Sequence, residues 1–249
     1  MTGTLINVFA ILLGGALGAV LGGKLPDRLR QTVMAGLGLF TLAIGFQMFL
    51  KTQNSLVVLG SLVAGIILGE WWQIEEGIRW MGRVLERRVM SRKDPNVSAE
   101  ERASRQERFV RGFFTASLLF CVGPIAIIGS IQDGLNGEYQ LLAVKSVLDG
   151  FASLAFASSM GIGVLFSALP ILLYQGGISV AAAQLDSIVS PAMMTEMTAT
   201  GGVLLMAIAI GSLLEIRPIR TGNFLPALLI APLLVALLEA LSIPWASLP

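Results

Sequence analysis

The chain has 249 residues, 55% of them hydrophobic and 13% charged, with a formal net charge of +1. Together with a mean hydropathy of +0.79, this composition excludes an ordinary soluble domain and marks an all-α integral membrane protein. The sequence contains no histidine, which removes His-based triads, His-ligated zinc and haem. The charge balance gives no reason to propose nucleic acid as a partner. We expect no enzyme activity, no cofactor and no metal site.

About twenty apolar residues cross a bilayer. Runs of that kind lie near residues 4–23, 31–50, 55–72, 109–130, 143–164, 166–188, 197–215 and 224–243. This predicts about eight spans in a single polytopic domain covering 1–249. The first run lacks a charged leader and a clear small-residue cleavage site, so it reads as a retained span. It places Gly14, Gly18 and Gly22 four apart; Ser61, Gly65 and Gly69 repeat the pattern in the third span. Such glycine-zipper-like faces permit close helix packing, within the chain or across a homo-oligomer seam.

Residues 73–108 form the one sizeable polar region, where Ile74, Ile78, Met81, Leu85 and Val89 recur at helical spacing opposite Arg79, Arg83 and Arg87. This predicts a basic amphipathic helix on the membrane surface. After Asp94-Pro95-Asn96, the run Ser98-Ala99-Glu100-Glu101 reads as a capping box opening a helix that continues into the fourth span. The sequon Asn96-Val97-Ser98 falls on the side assigned to the cytoplasm, where it has no meaning for glycosylation.

The fifth span carries Lys145, Ser146, Asp149 and Ser153 on one narrow face, with a base and an acid one turn apart. An ionisable residue inside a span costs roughly 2.5–3.5 kcal/mol on insertion scales and is a functional-site hypothesis by default. A satisfied structural ion pair is the competing reading. Ser158, Ser159, Gly161 and Gly163 follow in a small-residue stretch. Helix breaks are expected there, at Gly123-Pro124 in the fourth span and at Gln175-Gly176-Gly177 in the sixth. With Pro170, the last of these makes the sixth span the least secure and leaves seven spans plus a re-entrant segment as the alternative. Asn7, Gln47, Glu70, Glu196, Glu215, Asn223 and Glu239 lie near span ends and are assigned mostly to the interface. Cys121, the single cysteine, reads as a packing residue.

Basic residues set orientation. Lys24, Arg28 and Arg30, the cluster from Arg79 to Arg111, and Arg217 with Arg220 fall on one side of an eight-span protein, which places both termini outside the cytoplasm. At an offset of 166, Thr32, Gly36, Leu39, Ala43, Ile44 and Gly45 recur as Thr198, Gly202, Leu205, Ala209, Ile210 and Gly211. This suggests an inverted repeat relating spans one to three to spans six to eight.

The segments Phe120 to Gly134 and Lys145 to Ser153, with Phe156 to Val164, Gln175-Gly176 and the Gly-Thr-Leu-Ile-Asn-Val opening at Gly3, resemble the bacterial family of domain of unknown function 554, the YqgA-like proteins. The resemblance covers the whole chain and implies a multi-spanning protein of the bacterial inner membrane. It carries no catalytic or transport role to particular residues.

The residues themselves favour a secondary transporter of a small polar or anionic solute, coupled to protons or sodium. Lys145 would anchor the solute and Asp149 would be the coupling carboxylate, with Ser146, Ser153, Ser158, Ser159 and Gln175 in support. The alternatives are an oligomeric ion or solute channel lined by the fifth span, and a scaffold or sensor that recruits a partner through 73–108.

Overall fold

A computed structural model describes residues 1–23, 25–89, 98–243 and 245, with Asp27 described in its backbone only. Asp94-Pro95-Asn96, Val97 and Lys24 lie outside the described residues. The described chain is helical: α1 (Thr2–Gly22), α2 (Asp27–Phe49), α3 (Ser55–Trp72), α4 (Ile74–Val89), α5 (Ala99–Cys121), α6 (Pro124–Leu135), α7 (Gln140–Met160), α8 (Ala168–Val180), α9 (Ala182–Asp186), α10 (Pro191–Ile208) and α11 (Leu225–Ala240). A 3-10 segment, Ile162–Ser167, leads into α8, and a π-turn, Ala209–Leu213, ends α10.

Seven of these segments are long and apolar enough to cross a membrane, and an eighth crossing is available from α5 and α6, which meet at a bend of 66°. The insecure span is therefore the fourth and not the sixth. Pro170 is the third residue of α8, inside the first turn, where the missing N–H leaves no α-helical bond unmade. The helix then runs through Gly176 and Gly177 to Val180. These two glycines are not a break, because nothing in their backbone leaves the helical region.

The described residues form two compact units. The first comprises those of Met1–Met34, Glu76–Cys121 and Ile125–Ala182; the second comprises those of Ala35–Glu75, Val122–Pro124 and Ala183–Pro249. In the first, α1 packs along α7 backbone to backbone. A Cβ built on Gly14, Gly18 or Gly22 would lie 2.1, 2.2 or 2.3 Å from the carbonyl oxygen of Gly150, Leu154 or Ser158. Only hydrogen fits at these three positions. The glycine face is thus used within the chain. In the second unit, Gly65 and Gly69 of α3 meet Ala227 and Asn223 in the same manner: an added Cβ would lie 2.5 or 2.0 Å from their backbone atoms.

These registers bear on the number of crossings. Along α1 and α7 the contacting numbers rise together, so the two helices run parallel. Parallel spans require an odd number of crossings between them; α2 and α3 supply two, and the bent pair α5–α6 must supply the third. Along α3 and α11 the numbers run in opposite senses, 65 with 227 and 69 with 223. That antiparallel pairing likewise agrees with a crossing by the bent pair, the eighth of the seven to eight spans that length and composition allow.

Outside the spans, Ser98 Oγ accepts the Glu101 amide at 3.1 Å, as a helix N-cap does, and α5 runs without interruption from this cap into its apolar half. The amphipathic α4 is held to α5 at Gly82, which faces Val110 and Phe113. Arg79, expected on the polar face, lies with its guanidinium 4.8 Å from the centre of the Phe114 ring. Its stem and charge both serve to attach the helix.

With α5–α6 counted as a crossing, the start of α1 and the end of α11 are expected on one side of the membrane. Reporters of compartment fused before α1 and after α11 should give the same state; opposite states would show that α5–α6 does not cross.

Candidate functional site

Asp149 is the tenth of the 21 residues of α7, roughly 14 Å along a helix rising about 1.5 Å per residue, which is close to its middle. Both Asp149 and Lys145 are 7% exposed. The Lys145 ammonium pairs with Asp149 Oδ2 and donates a second bond, of 2.9 Å, to the carbonyl oxygen of Phe120. That carbonyl is available for a reason legible in the chain. In a continuous helix it would accept from the amide four residues on, and that residue is Pro124, which has no N–H. Gly123, at φ +135°, turns the chain between α5 and α6 there. The end of α5 also carries the negative pole of its dipole, which favours a cation.

Two carboxamides from other helices complete the cluster. Asn7 of α1 donates from Nδ2 to Asp149 Oδ2 at 3.0 Å and to Gln175 Oε1 of α8 at 3.3 Å. Asn7 and Gln175 are 0% exposed. Their orientations follow from the carboxylate, since Asn7 must present its NH2 to Asp149 and Gln175 must then present its oxygen to Asn7. The atoms turned away, Asn7 Oδ1 and Gln175 Nε2, have no protein partner, and neither has Thr4 Oγ1 one turn before Asn7. A buried polar atom left unpaired costs roughly 1–3 kcal/mol. The mid-span cluster thus holds a hydrogen-bonded ion pair beside a donor and acceptors that are not engaged.

Of the residues picked from sequence, Lys145, Asp149 and Gln175 come together. The serines do not join them. Ser146 Oγ donates to Leu142 O at 2.6 Å, Ser153 Oγ to Ile11 O at 2.8 Å and Ser158 Oγ to Ala155 O at 2.7 Å; these bonds satisfy the hydroxyls on helix backbone. Ser158 and Ser159 sit nine and ten residues beyond Asp149, roughly 13–15 Å along the helix. Gly161 does end α7, at φ +84° and ψ −164°, a region open essentially to glycine alone. Gly163 is a packing position, with its Cα facing the Phe109 carbonyl so closely that a Cβ would lie 2.1 Å from that oxygen.

Asn7 was assigned to the interface from its place near a span end, as were Glu196 and Asn223, yet these are 0%, 0% and 3% exposed. Asp133 is 3% exposed and its Oδ2 accepts the Gly3 amide at the start of α1, at 3.0 Å. For Asn7 a signal existed: the buried face of α1 runs through Gly3, Asn7, Ile11, Gly14, Gly18 and Gly22, so extending the glycine stripe backwards reaches it. Glu196 bonds Thr52 Oγ1 and the Gln53 and Asn54 amides at 2.6, 2.6 and 3.3 Å, contacts separated by more than 140 residues that no spacing rule reveals.

The chain belongs to the family described as protein of unknown function DUF554, whose model matches residues 2–236. It is 33% identical to the uncharacterized protein YqgA of Escherichia coli strain K12 over 230 residues, 92% of this chain and 94% of that protein. It is 28% identical to the uncharacterized membrane protein YdfK of Bacillus subtilis strain 168 over 244 residues, 96% of this chain and 98% of the relative. No solved structure matches.

The ion pair has a measurable signature. Removing one partner of a buried pair costs about 3–5 kcal/mol, whereas replacing both by apolar groups of similar size is often neutral or better. Lys145→Met and Asp149→Leu should each lower the unfolding stability of the detergent-solubilised protein by about that amount, and the double variant should be more stable than either single one. Additive losses in the double variant would show that the two charges do not depend on each other.

Proposed function

We propose that this member of the family is a secondary transporter of a small polar or anionic solute, coupled to protons or sodium, with its site at Lys145, Asp149, Asn7 and Gln175. One observation carries the reading: the unpartnered Asn7 Oδ1 and Gln175 Nε2 lie beside an ion pair midway along a span. A solute carrying both a donor and an acceptor satisfies the two atoms at once. Apolar solutes satisfy neither, which sets the substrate class.

Asp149 is the coupling carboxylate in this reading. While charged it holds the Lys145 ammonium. When it takes a proton, or shares its oxygens with sodium, that hold weakens and the ammonium becomes available to an anionic group of the solute. The α5–α6 break supplies the irregular backbone on which transporters commonly build such sites, near the bilayer midplane. The suggested inverted repeat, both termini outside the cytoplasm and residence in the bacterial inner membrane belong to the same proposal, supported by the repeat at offset 166 and by the distribution of Lys and Arg.

The test is a thermal-stability screen of the purified protein against ions and small metabolites, followed by counterflow in proteoliposomes with any stabilising solute. A ligand at a hundred times its dissociation constant adds about 2.7 kcal/mol to stability. The expected outcome is a saturable flux with counterflow. Asp149→Asn should lose the coupling ion while remaining folded, and Asn7→Ala should weaken solute binding about tenfold. Flux that neither saturates nor exchanges would make the protein a channel. A folded protein that binds no solute, and loses function when the basic face of α4 is neutralised, would make it a scaffold.

A further inference from the structure

The surroundings of the mid-span cluster differ between its two ends. Beyond Asn7, the buried face of α1 carries only Ile11 and glycines. At Gly14, Gly18 and Gly22 that face meets the α7 backbone too closely to admit even a methyl group, and Ser153 Oγ bonds the Ile11 carbonyl across the same stretch at 2.8 Å. On α8 the neighbouring buried side chain in that direction is Ile171, one turn before Gln175 and 0% exposed. Toward the carboxy-terminal end of α1, the cluster is therefore walled by apolar side chains and touching backbones.

Before Asn7 the chemistry is polar. Thr4 is 0% exposed and its Oγ1 has no hydrogen-bond partner. Residues three apart on a helix are neighbours on one face, so this hydroxyl continues the row begun by Asn7 Oδ1 and Gln175 Nε2, which also lack partners. At the end of the row stands Asp133 of α6. Its Oδ2 accepts the Gly3 amide at 3.0 Å, and its Oδ1 lies 3.2 Å from the Met1 nitrogen. Met1 is 48% exposed, and from Gly3 to Asn7 is roughly 6 Å along the helix. A short line of polar groups thus joins the cluster to the surface at the start of α1.

We propose that Thr4 lines the entry to the mid-span site, and that solute passes it from the end of the membrane at which α1 begins, when Asp133 releases the first turn of that helix. The inference rests on the transporter reading for its solute, a small molecule carrying a donor and an acceptor. In this structure the entry is closed, because Thr4, Asn7 and Gln175 are 0% exposed. Opening it breaks the two contacts of one carboxylate and the packing of Gly3 on Leu142. In return, water or solute reaches three buried atoms that are otherwise unpaired, and a buried polar atom without a partner is unfavourable to keep. Opening the other end would part the glycine face from α7 and would satisfy none of the three. The balance selects the amino-terminal end of α1.

The test reads the reaction of introduced cysteines with a charged, membrane-impermeant methanethiosulfonate, using the full-length protein in sealed vesicles of either orientation. Cys121, the single native cysteine, is first replaced by Cys121→Ala. Thr2→Cys, at an exposed position, marks the side on which α1 begins. Thr4→Cys is expected to react from that same side. Phe9→Cys, at a position 65% exposed on the outer face of α1, and Ile11→Cys, one turn beyond the cluster, are expected not to react, because a thiol in apolar surroundings stays protonated. Adding Asp133→Ala should speed the reaction of Thr4→Cys about fivefold, the shift that loss of one net hydrogen bond gives. If Thr4→Cys does not fold, Asn7→Cys carries the same expectation. Reaction from the opposite side, equal reaction at Ile11→Cys, no reaction at Thr4→Cys or Asn7→Cys, or a rate indifferent to Asp133→Ala overturns the proposal. No solute or flux enters this readout, so its failure leaves the counterflow test standing; labelling as expected without counterflow would keep the entry and remove the transporter.

Discussion

Within hydrocarbon a backbone polar group has no water to turn to, and an unpaired one costs several kcal/mol. At the junction of α5 and α6, Pro124 cannot donate to the Phe120 carbonyl, and the chain answers with a side chain: Lys145 reaches that oxygen from α7. A buried ammonium then needs an anion, which Asp149 provides one turn away. A buried carboxylate needs donors, and Asn7 crosses from α1 to supply one. Orientation of Asn7 then sets that of Gln175. One missing N–H thus leads through four side chains on three helices.

That sequence of contacts is possible because α1 and α7 touch at the backbone. Gly14 and Gly18 bring α1 within reach of the Gly150 and Leu154 carbonyls, and a short side chain such as asparagine can then bridge the helices. The same parallel packing sets the Gly22 and Ser159 carbonyls at a common end, where arginines gather to meet them. One helix pair therefore carries both a paired, mid-span cluster and, at the helix ends, carbonyls that accept from arginines.

Buried charge elsewhere in the chain shows what a structural role looks like. In the second unit Glu196 accepts three bonds around the start of α3, and Glu75 accepts the Gly222 amide while its own amide bonds Asn223 Oδ1. These carboxylates satisfy helix ends and loops. Asn7 and Gln175 differ in keeping one amide atom each without a hydrogen-bond partner beside a mid-span ion pair.

The sequence by itself determined the membrane class, the positions of the apolar runs, the amphipathic helix at 74–89 and the ion pair on α7, because each depends on local composition or on spacing along a single helix. It also located the break at Gly123-Pro124, where residue chemistry alone forbids a regular helix. It overread Gln175-Gly176-Gly177, since glycine permits a break without requiring one and the flanking residues keep α8 regular. Only the tertiary structure decided that Asn7 joins the mid-span cluster and Ser146, Ser153 and Ser158 do not. A hydroxyl can bond its own helix or a neighbour's backbone, and which it does depends on which helix lies alongside. The register of α1 on α7 and of α3 on α11 likewise required the packed helices, because the direction in which two distant segments run past each other leaves no trace in either one alone.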